Sequence, residues 1–104
     1  MENQLLFSEK AKQIEAAIIA TYGCELKRIV SLKDTVEKKV LVFFMYKLLG
    51  FNKRTIGHAY QMTYLYVPTV VDEVEIQYML DEKFREKIIT IGKLIGYESK
   101  NYFA

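Results

Sequence analysis

The chain has 104 residues, of which 51% are hydrophobic, 27% charged and 13% aromatic. This size and composition are typical of one globular domain with a single buried core, and they argue against a disordered, fibrous or multidomain chain. The formal net charge is only +2. That value is too small for binding nucleic acid by bulk charge, so any nucleic-acid site must come from where the charges sit.

The first predicted element is an amphipathic helix over about residues 3 to 22. Apolar side chains recur there at steps of three and four, and Gly23 provides a natural stop. These side chains are Leu6/Phe7, Ala11, Ile14, Ile18 and Tyr22. Residues 24 to 33 are then expected to form a short irregular or single-turn stretch.

A second helix is predicted over about residues 35 to 49. Asp34 and Glu37 have the spacing of a capping box at its start. From Val40 onward the segment is apolar nearly all round, as expected of a helix at the centre of a small bundle. Its β-branched and aromatic residues would also suit a buried strand, but the length, the cap and Gly50 favour a helix.

Asn52 can cap a short third helix over about residues 53 to 59, with Ile56, Ala59 and Tyr60 on its inward side. The following segment, residues 61 to 67, has strand-like propensity. An extended linker and a small wing are both open interpretations of that segment.

Pro68 fits the first turn of a fourth helix over about residues 68 to 80. Asp81 can cap a last helix over residues 82 to 95, which Gly96 would end. The inward positions are Val67, Val70, Val71, Val74 and Tyr78 on the fourth helix, and Phe84, Ile88, Ile91 and Ile95 on the last. We therefore predict an all-α domain over residues 1 to 96, a single small bundle of about five helices, with a tail over residues 97 to 104.

The chemistry of most enzymes is missing from the composition. His58 is the only histidine and Cys24 the only cysteine, which leaves no zinc cluster and no nucleophile with a base and an orienting partner. The acidic residues of the fourth helix and its end point in different directions, which is typical of a solvated face, and the glycines are isolated. We expect no enzyme activity, no bound metal and no cofactor.

The compartment follows from segments that the sequence lacks. Its longest apolar run, Val40 to Tyr46, is far shorter than the roughly 20 residues that cross a bilayer, and the N-terminus has no secretion signal. A single cysteine cannot form an internal disulfide. We expect a cytoplasmic protein with no membrane association.

A short helix followed by a second helix is the layout of a helix-turn-helix, in which the second helix enters the major groove. The residues from Lys38 to Tyr60 resemble the C-terminal DNA-binding domain of the bacterial chromosomal replication initiator DnaA, of the Trp-repressor-like superfamily. In that family a basic residue opens a long apolar helix, a glycine ends it, a short helix carries an Ile-Gly pair, and an aromatic residue closes it. Here those places fall on Lys38, Gly50, Ile56-Gly57 and Tyr60.

The resemblance extends over roughly residues 12 to 95. Upstream, Tyr22-Gly23 followed by Leu26 and Ile29 is similar to the family's Tyr-Gly and its short following helix. Downstream, residues 81 to 88 are similar to the start of its last helix. The family then has a Gly-Gly-Arg-Asp-His-Ser/Thr-Thr-Val signature after its aromatic residue. This chain is two residues longer there and retains only Thr69-Val70, so the family's sequence specificity is not carried over.

The charges are unevenly distributed along the chain. Residues 1 to 66 carry ten basic and six acidic groups, residues 67 to 82 carry five acidic and no basic groups, and residues 83 to 104 carry five basic and two acidic groups. The predicted recognition helix is therefore the most acidic segment, and acids that faced phosphate would oppose binding. If those acids face away, the resemblance implies backbone contacts from Lys38, Lys39, Lys53, Arg54 and His58, and groove contacts from Thr63, Tyr64, Tyr66 and Thr69.

Two hypotheses follow. The first is a protein that binds double-stranded DNA through a helix-turn-helix in replication or transcription control. The second is a degenerate helix-turn-helix that serves as a protein-interaction or oligomerisation module, with a protein partner or a second copy as its ligand. The acidic fourth helix, the lost signature and the eight tyrosines, a residue type enriched at interfaces, motivate the second.

Overall fold

The computed structural model describes residues 8–23 and 35–96. Within those ranges the chain forms five α-helices and no strand, which confirms the all-α fold class. They are α1 (Glu9–Tyr22), α2 (Val36–Phe43), α3 (Lys53–Ala59), α4 (Val67–Leu80) and α5 (Glu82–Leu94), with a π-helical turn over Phe44–Leu48 and a 3₁₀ turn over Tyr64–Tyr66. The predictions for residues 3 to 7, 24 to 34 and 97 to 104 fall outside the described residues.

The centre of the bundle is α2 with its π-helical continuation. Every residue from Val40 to Met45 is 0% exposed, as expected of a helix surrounded by others. The helix contacts both α1 and α4, and α5 packs on α1 and α4. The edge of one phenylalanine ring, Phe43 or Phe44, meets the other ring at a centroid distance of 5.5 Å, a favourable aromatic geometry.

Two details of the second helix differ from the prediction. Its N-cap is Thr35, whose hydroxyl accepts from the Lys38 N–H at 3.3 Å, so the predicted cap at Asp34 with Glu37 is one residue out of register. Its C-terminal part is also wider than an α-helix. The N–H of Leu49 donates to the carbonyl of Phe44 at 3.2 Å, five residues back, which is the hydrogen bond of a π-helix.

The remaining helix ends agree with the sequence signals. The Asn52 side chain accepts from the Thr55 N–H at 2.8 Å, and the Asp81 side chain accepts from the Phe84 N–H at 3.1 Å. Both are N-cap bonds that satisfy backbone donors at a helix start. The hydrogen bond from the Phe84 N–H is the main cause that lowers the pKa of the Asp81 carboxyl below its ordinary value. Gly23 and Gly96 end α1 and α5 with positive φ angles of 67° and 81°.

The segment between α3 and α4 contains no strand. After Tyr60 the chain turns at Gln61, whose φ is +54°, and then forms the 3₁₀ turn that leads directly into α4. The extended linker and the small wing are therefore both wrong. The result is two helices, α3 and α4, joined by a short and closely packed turn.

Candidate nucleic-acid interface

Three basic side chains are exposed on α3, and we call them the basic cluster: Lys53, Arg54 and His58. The Asn52 cap fixes where α3 begins, and so places Lys53 and Arg54 in its first turn. Arg54 and His58 are four residues apart and share one face of the helix. The buried residues of α3 are Thr55, Ile56 and Gly57, so the helix presents its basic side outward.

The ring of Tyr64 connects the basic cluster to the turn before α4. The Arg54 Cζ atom lies 4.4 Å from the centroid of this ring, and the Lys53 Nζ atom lies 5.8 Å from it. Both distances are within the range of cation–π attraction. Tyr64 is half-buried, so the sequence-predicted residues Lys53, Arg54 and Tyr64 form one continuous surface.

The turn itself packs tightly against Gly57. A Cβ atom at Gly57 would clash with the Met62 carbonyl oxygen and would lie 3.2 Å from the Tyr64 backbone nitrogen. The absence of a side chain at Gly57 therefore permits the backbone of the turn to approach α3 closely. Of the other predicted groove residues, Thr63 and Thr69 are exposed, whereas Tyr66 is half-buried and packs against the core.

Two of the three acidic side chains of α4 form ion pairs with lysines of the central helix and its π-helical continuation. Glu73 Oε2 lies 2.8 Å from Lys39 Nζ, and Glu75 Oε1 lies 3.2 Å from Lys47 Nζ. The two glutamates are about 200° apart around α4 at ~100° per residue, so the lysines reach opposite flanks of the helix. Lys39, which was predicted to contact phosphate, forms an ion pair with Glu73 in this conformation, and Lys47 was not predicted as a site residue.

Lys38 does not lie on this surface. Its side chain is 1% exposed, and its Nζ atom donates to the Gln61 carbonyl oxygen at 3.4 Å. The predicted phosphate contact from Lys38 is therefore inconsistent with this conformation. Because Gln61 begins the turn between α3 and α4, Lys38 connects the central helix to that turn.

Sequence analysis missed a group of apolar side chains on the outer face of α4. Ile76, Met79 and Leu80 are 58%, 72% and 81% exposed, and Leu65 on the 3₁₀ turn is 64% exposed. A signal for the α4 group was present. Once Val70 and Val74 are assigned to the inner face of the helix, the 3.6-residue period places Ile76 on the opposite face.

The described residues contain no group of three His, Cys, Asp or Glu side chains that could hold a metal ion. Cys24, the only cysteine of the chain, lies outside them. Among the helices described, none is both long enough and apolar enough to cross a membrane.

The described residues form a small all-α bundle in which a short turn joins α3 to α4. Comparisons with protein-family models, with curated proteins and with solved structures give no match to this chain. The resemblance to the DnaA C-terminal domain therefore rests on the residues quoted above.

Proposed function

We propose that the protein binds double-stranded DNA through α3, the turn and the N-terminal half of α4, in the control of replication or transcription. The observation that carries the proposal is the basic cluster of Lys53, Arg54 and His58 beside Tyr64. In helix-turn-helix proteins the first helix crosses the phosphate backbone, and the N-terminal residues of the second contact base edges. The basic cluster and Thr69 occupy the corresponding positions.

The ion pairs of α4 support this proposal. Five acidic groups and no basic ones lie in residues 67 to 82, and acids facing phosphate would weaken binding. Two of the five, Glu73 and Glu75, are paired with Lys39 and Lys47 on the flanks of the helix. The positive charges of Lys39 and Lys47 therefore offset the negative charges of Glu73 and Glu75.

The conformation of Gln61 supports the resemblance to the DnaA domain. Gln61 follows the aromatic residue Tyr60 directly and has a positive φ of 54°. Residues other than glycine rarely adopt such a φ. The DnaA signature has glycine at the place that follows its aromatic residue. Glycine adopts a left-handed backbone readily, so the glycine of the family's signature would suit the conformation that Gln61 has here.

The test is fluorescence anisotropy of a labelled random-sequence duplex with the full chain at about 50 and about 200 mM salt. Binding through phosphates weakens steeply with salt, with a log–log slope of about −0.9 for each contact. The paired substitution Lys53→Ala with Arg54→Ala is expected to make that slope shallower by about 2. The matched control, Lys12→Ala with Lys93→Ala, removes the same charge from exposed sites on α1 and α5 and is expected to retain the slope. No binding at low salt, or equal effects of the two pairs, would overturn the proposal.

A second function has its own observation. The C-terminal half of α4 presents apolar side chains to solvent, which favours a protein-interaction or oligomerisation module. If the duplex fails to bind at low salt while the chain self-associates or binds a protein, this second function replaces the first.

A further inference from the structure

The outer face of α4 changes character along its length. Its N-terminal half carries Thr69 and Asp72, whereas its C-terminal half carries Ile76, Met79 and Leu80, each more than half exposed. The i, i+3, i+4 spacing of these three puts them on one side of the helix. The opposite side of α4 is already buried in the core, so the fold has no need of a second apolar face. Three adjacent exposed apolar residues are typical of a docking surface, unlike scattered single ones.

Acidic side chains outnumber basic ones in the sequence around this apolar group. Asp72 lies one turn before Ile76 on the same side of the helix, and Asp81 and Glu82 follow Leu80 directly; all three acids are exposed. Arg85 is oriented toward the end of α4, where its Nε and Nη2 atoms donate to the carbonyls of Tyr78 and Met79 at 2.9 and 2.8 Å. From residue 72 to residue 85 the sequence has five acidic residues and two basic ones, Lys83 and Arg85.

We propose that this surface, the acidic–apolar face formed by Asp72, Ile76, Met79, Leu80, Asp81 and Glu82, docks a basic amphipathic helix of a partner protein. A partner helix with the same apolar spacing can lie along α4 and cover the three side chains. Lysine or arginine residues flanking its apolar stripe would then lie next to the three acids, which favours the correct partner and speeds its association.

The negative charge of Asp72, Asp81 and Glu82 disfavours two other occupants of this face, DNA and a second copy of the chain. DNA does not suit the C-terminal end of this face, because the exposed Asp81 and Glu82 would oppose its phosphates. A second copy of the chain that docked through the same face would bring its own Asp72, Asp81 and Glu82 against these three, and such like-charge contacts are costly. A basic helix is the occupant whose apolar and charged groups both fit, and this inference does not depend on DNA binding.

The experiment uses three fluorescein-labelled synthetic peptides of about 18 residues, a length at which a helix can form. The first has a leucine stripe flanked by lysines, the second replaces the lysines by glutamates, and the third keeps the lysine composition but scrambles the leucines. Anisotropy with the full chain is expected to show binding of the first peptide, and at least about tenfold weaker binding of the other two. Equal binding of the lysine and glutamate peptides would overturn the proposal.

Substitutions on the chain locate the site. Met79→Ser with Leu80→Ser is expected to weaken binding of the lysine peptide at least about tenfold, since it removes the apolar contacts from exposed positions. The matched control, Leu65→Ser with Leu94→Ser, alters two exposed leucines elsewhere and is expected to retain binding. Equal losses in the two pairs would contradict the proposal.

Two further measurements separate this inference from its alternatives. The variant with Lys53→Ala and Arg54→Ala is expected to bind the lysine peptide as the parent chain does, whether or not DNA binding exists. Sedimentation velocity of the parent chain is expected to show a monomer. A dimer that disappears with Met79→Ser and Leu80→Ser would overturn the proposal in favour of a second copy as the occupant.

Discussion

The hydroxyl of Tyr60 donates a hydrogen bond to Glu15 Oε2 at 2.8 Å. This bond joins the end of α3 to the middle of α1, 45 residues earlier in the chain. The Tyr60 ring is 1% exposed, so the bond is made at the edge of the core. This side-chain hydrogen bond connects α3, which carries the basic cluster, to α1.

Tyr60→Phe tests this bond because it removes the hydroxyl and retains the ring. A hydrogen bond to a charged group contributes about 1.5–3 kcal/mol, so we expect the free energy of unfolding to fall by about that amount in urea denaturation. Glu15→Gln should cost less, since an amide oxygen still accepts the bond. The control is Tyr46→Phe, at a partly exposed tyrosine, with an expected change within about 0.5 kcal/mol. A Tyr60→Phe change as small as the control would contradict the role of the bond.

The same tyrosine predicts an alkaline limit to stability. Burial, followed by the charge of Glu15 and the bond to it, raises the pKa of Tyr60 well above its ordinary value. Tyr60 ionises at about pH 10 in the unfolded chain but stays neutral in the folded protein. Its contribution to the free energy of unfolding is therefore fully present below that pH and is lost progressively as the pH rises above it. We expect the free energy of unfolding to fall by up to about 1.4 kcal/mol per pH unit above pH ~10. Urea denaturation at a series of alkaline pH values should show a shallower decline for Tyr60→Phe than for the parent chain.

Local signals were sufficient to predict most of the fold. Asn52 and Asp81 cap α3 and α5 as the sequence indicated, because an N-cap depends only on the next three residues. The inner faces of α4 and α5 were also predictable, since Val70, Val74 and Ile88 follow the helical period and are buried.

The features that sequence analysis missed depend on contacts between distant residues. Lys38 is buried because Gln61, 23 residues later, offers its carbonyl oxygen, and nothing near Lys38 in the sequence indicates this. The π-helical turn after Phe43 was likewise not predicted, because the apolar pattern of this segment indicates a helix without distinguishing an α-helix from a π-helix. For the candidate interface, the basic cluster was predictable from sequence, but the pairing of Glu73 with Lys39 required the crossing of α2 and α4.

Gly57→Ala tests the tight turn between α3 and α4. The added methyl group would meet backbone atoms of Met62 and Tyr64, which cannot rotate away as a side chain can. Overpacking of this kind costs about 1–3 kcal/mol, partly offset by the better helix propensity of alanine. We expect a net loss of stability in urea denaturation, against a change within about 0.5 kcal/mol for the neighbouring exposed His58→Ala. A Gly57→Ala variant as stable as the parent would show that the turn can move.

Gln61→Gly tests the left-handed conformation that follows Tyr60. The left-handed φ destabilises a residue that has a Cβ atom by roughly 1–2 kcal/mol. Glycine avoids this strain, but it loses more conformational entropy on folding, which offsets part of the gain. We expect a net gain of about 0.5–1 kcal/mol in the free energy of unfolding. Gln61→Ala is the control, because it removes the exposed side chain but retains the strain, and it should remain near the parent value. A loss of stability with glycine would mean that the Gln61 side chain itself stabilises the turn.

The ion pairs of α4 give a prediction for the proposed DNA binding. Glu73→Gln with Glu75→Gln removes two acids and releases Lys39 and Lys47 from their pairs. Because exposed ion pairs contribute only about 0–1 kcal/mol each, the fold should persist. Duplex affinity at low salt is expected to rise because the flanks of α4 lose two negative charges, and the log–log salt slope is expected to steepen by up to about 1 as Lys47 becomes available to phosphates.

The control for this prediction is Glu9→Gln with Glu86→Gln, which makes the same charge change at exposed positions on α1 and α5. Salt-dependent anisotropy should then separate a local effect from a general one. If both double variants bind DNA equally more tightly, net charge alone sets the affinity and the flanks of α4 have no special part. If neither changes, Lys39 and Lys47 lie too far from the bound duplex, and the contact surface is confined to the basic cluster and the turn.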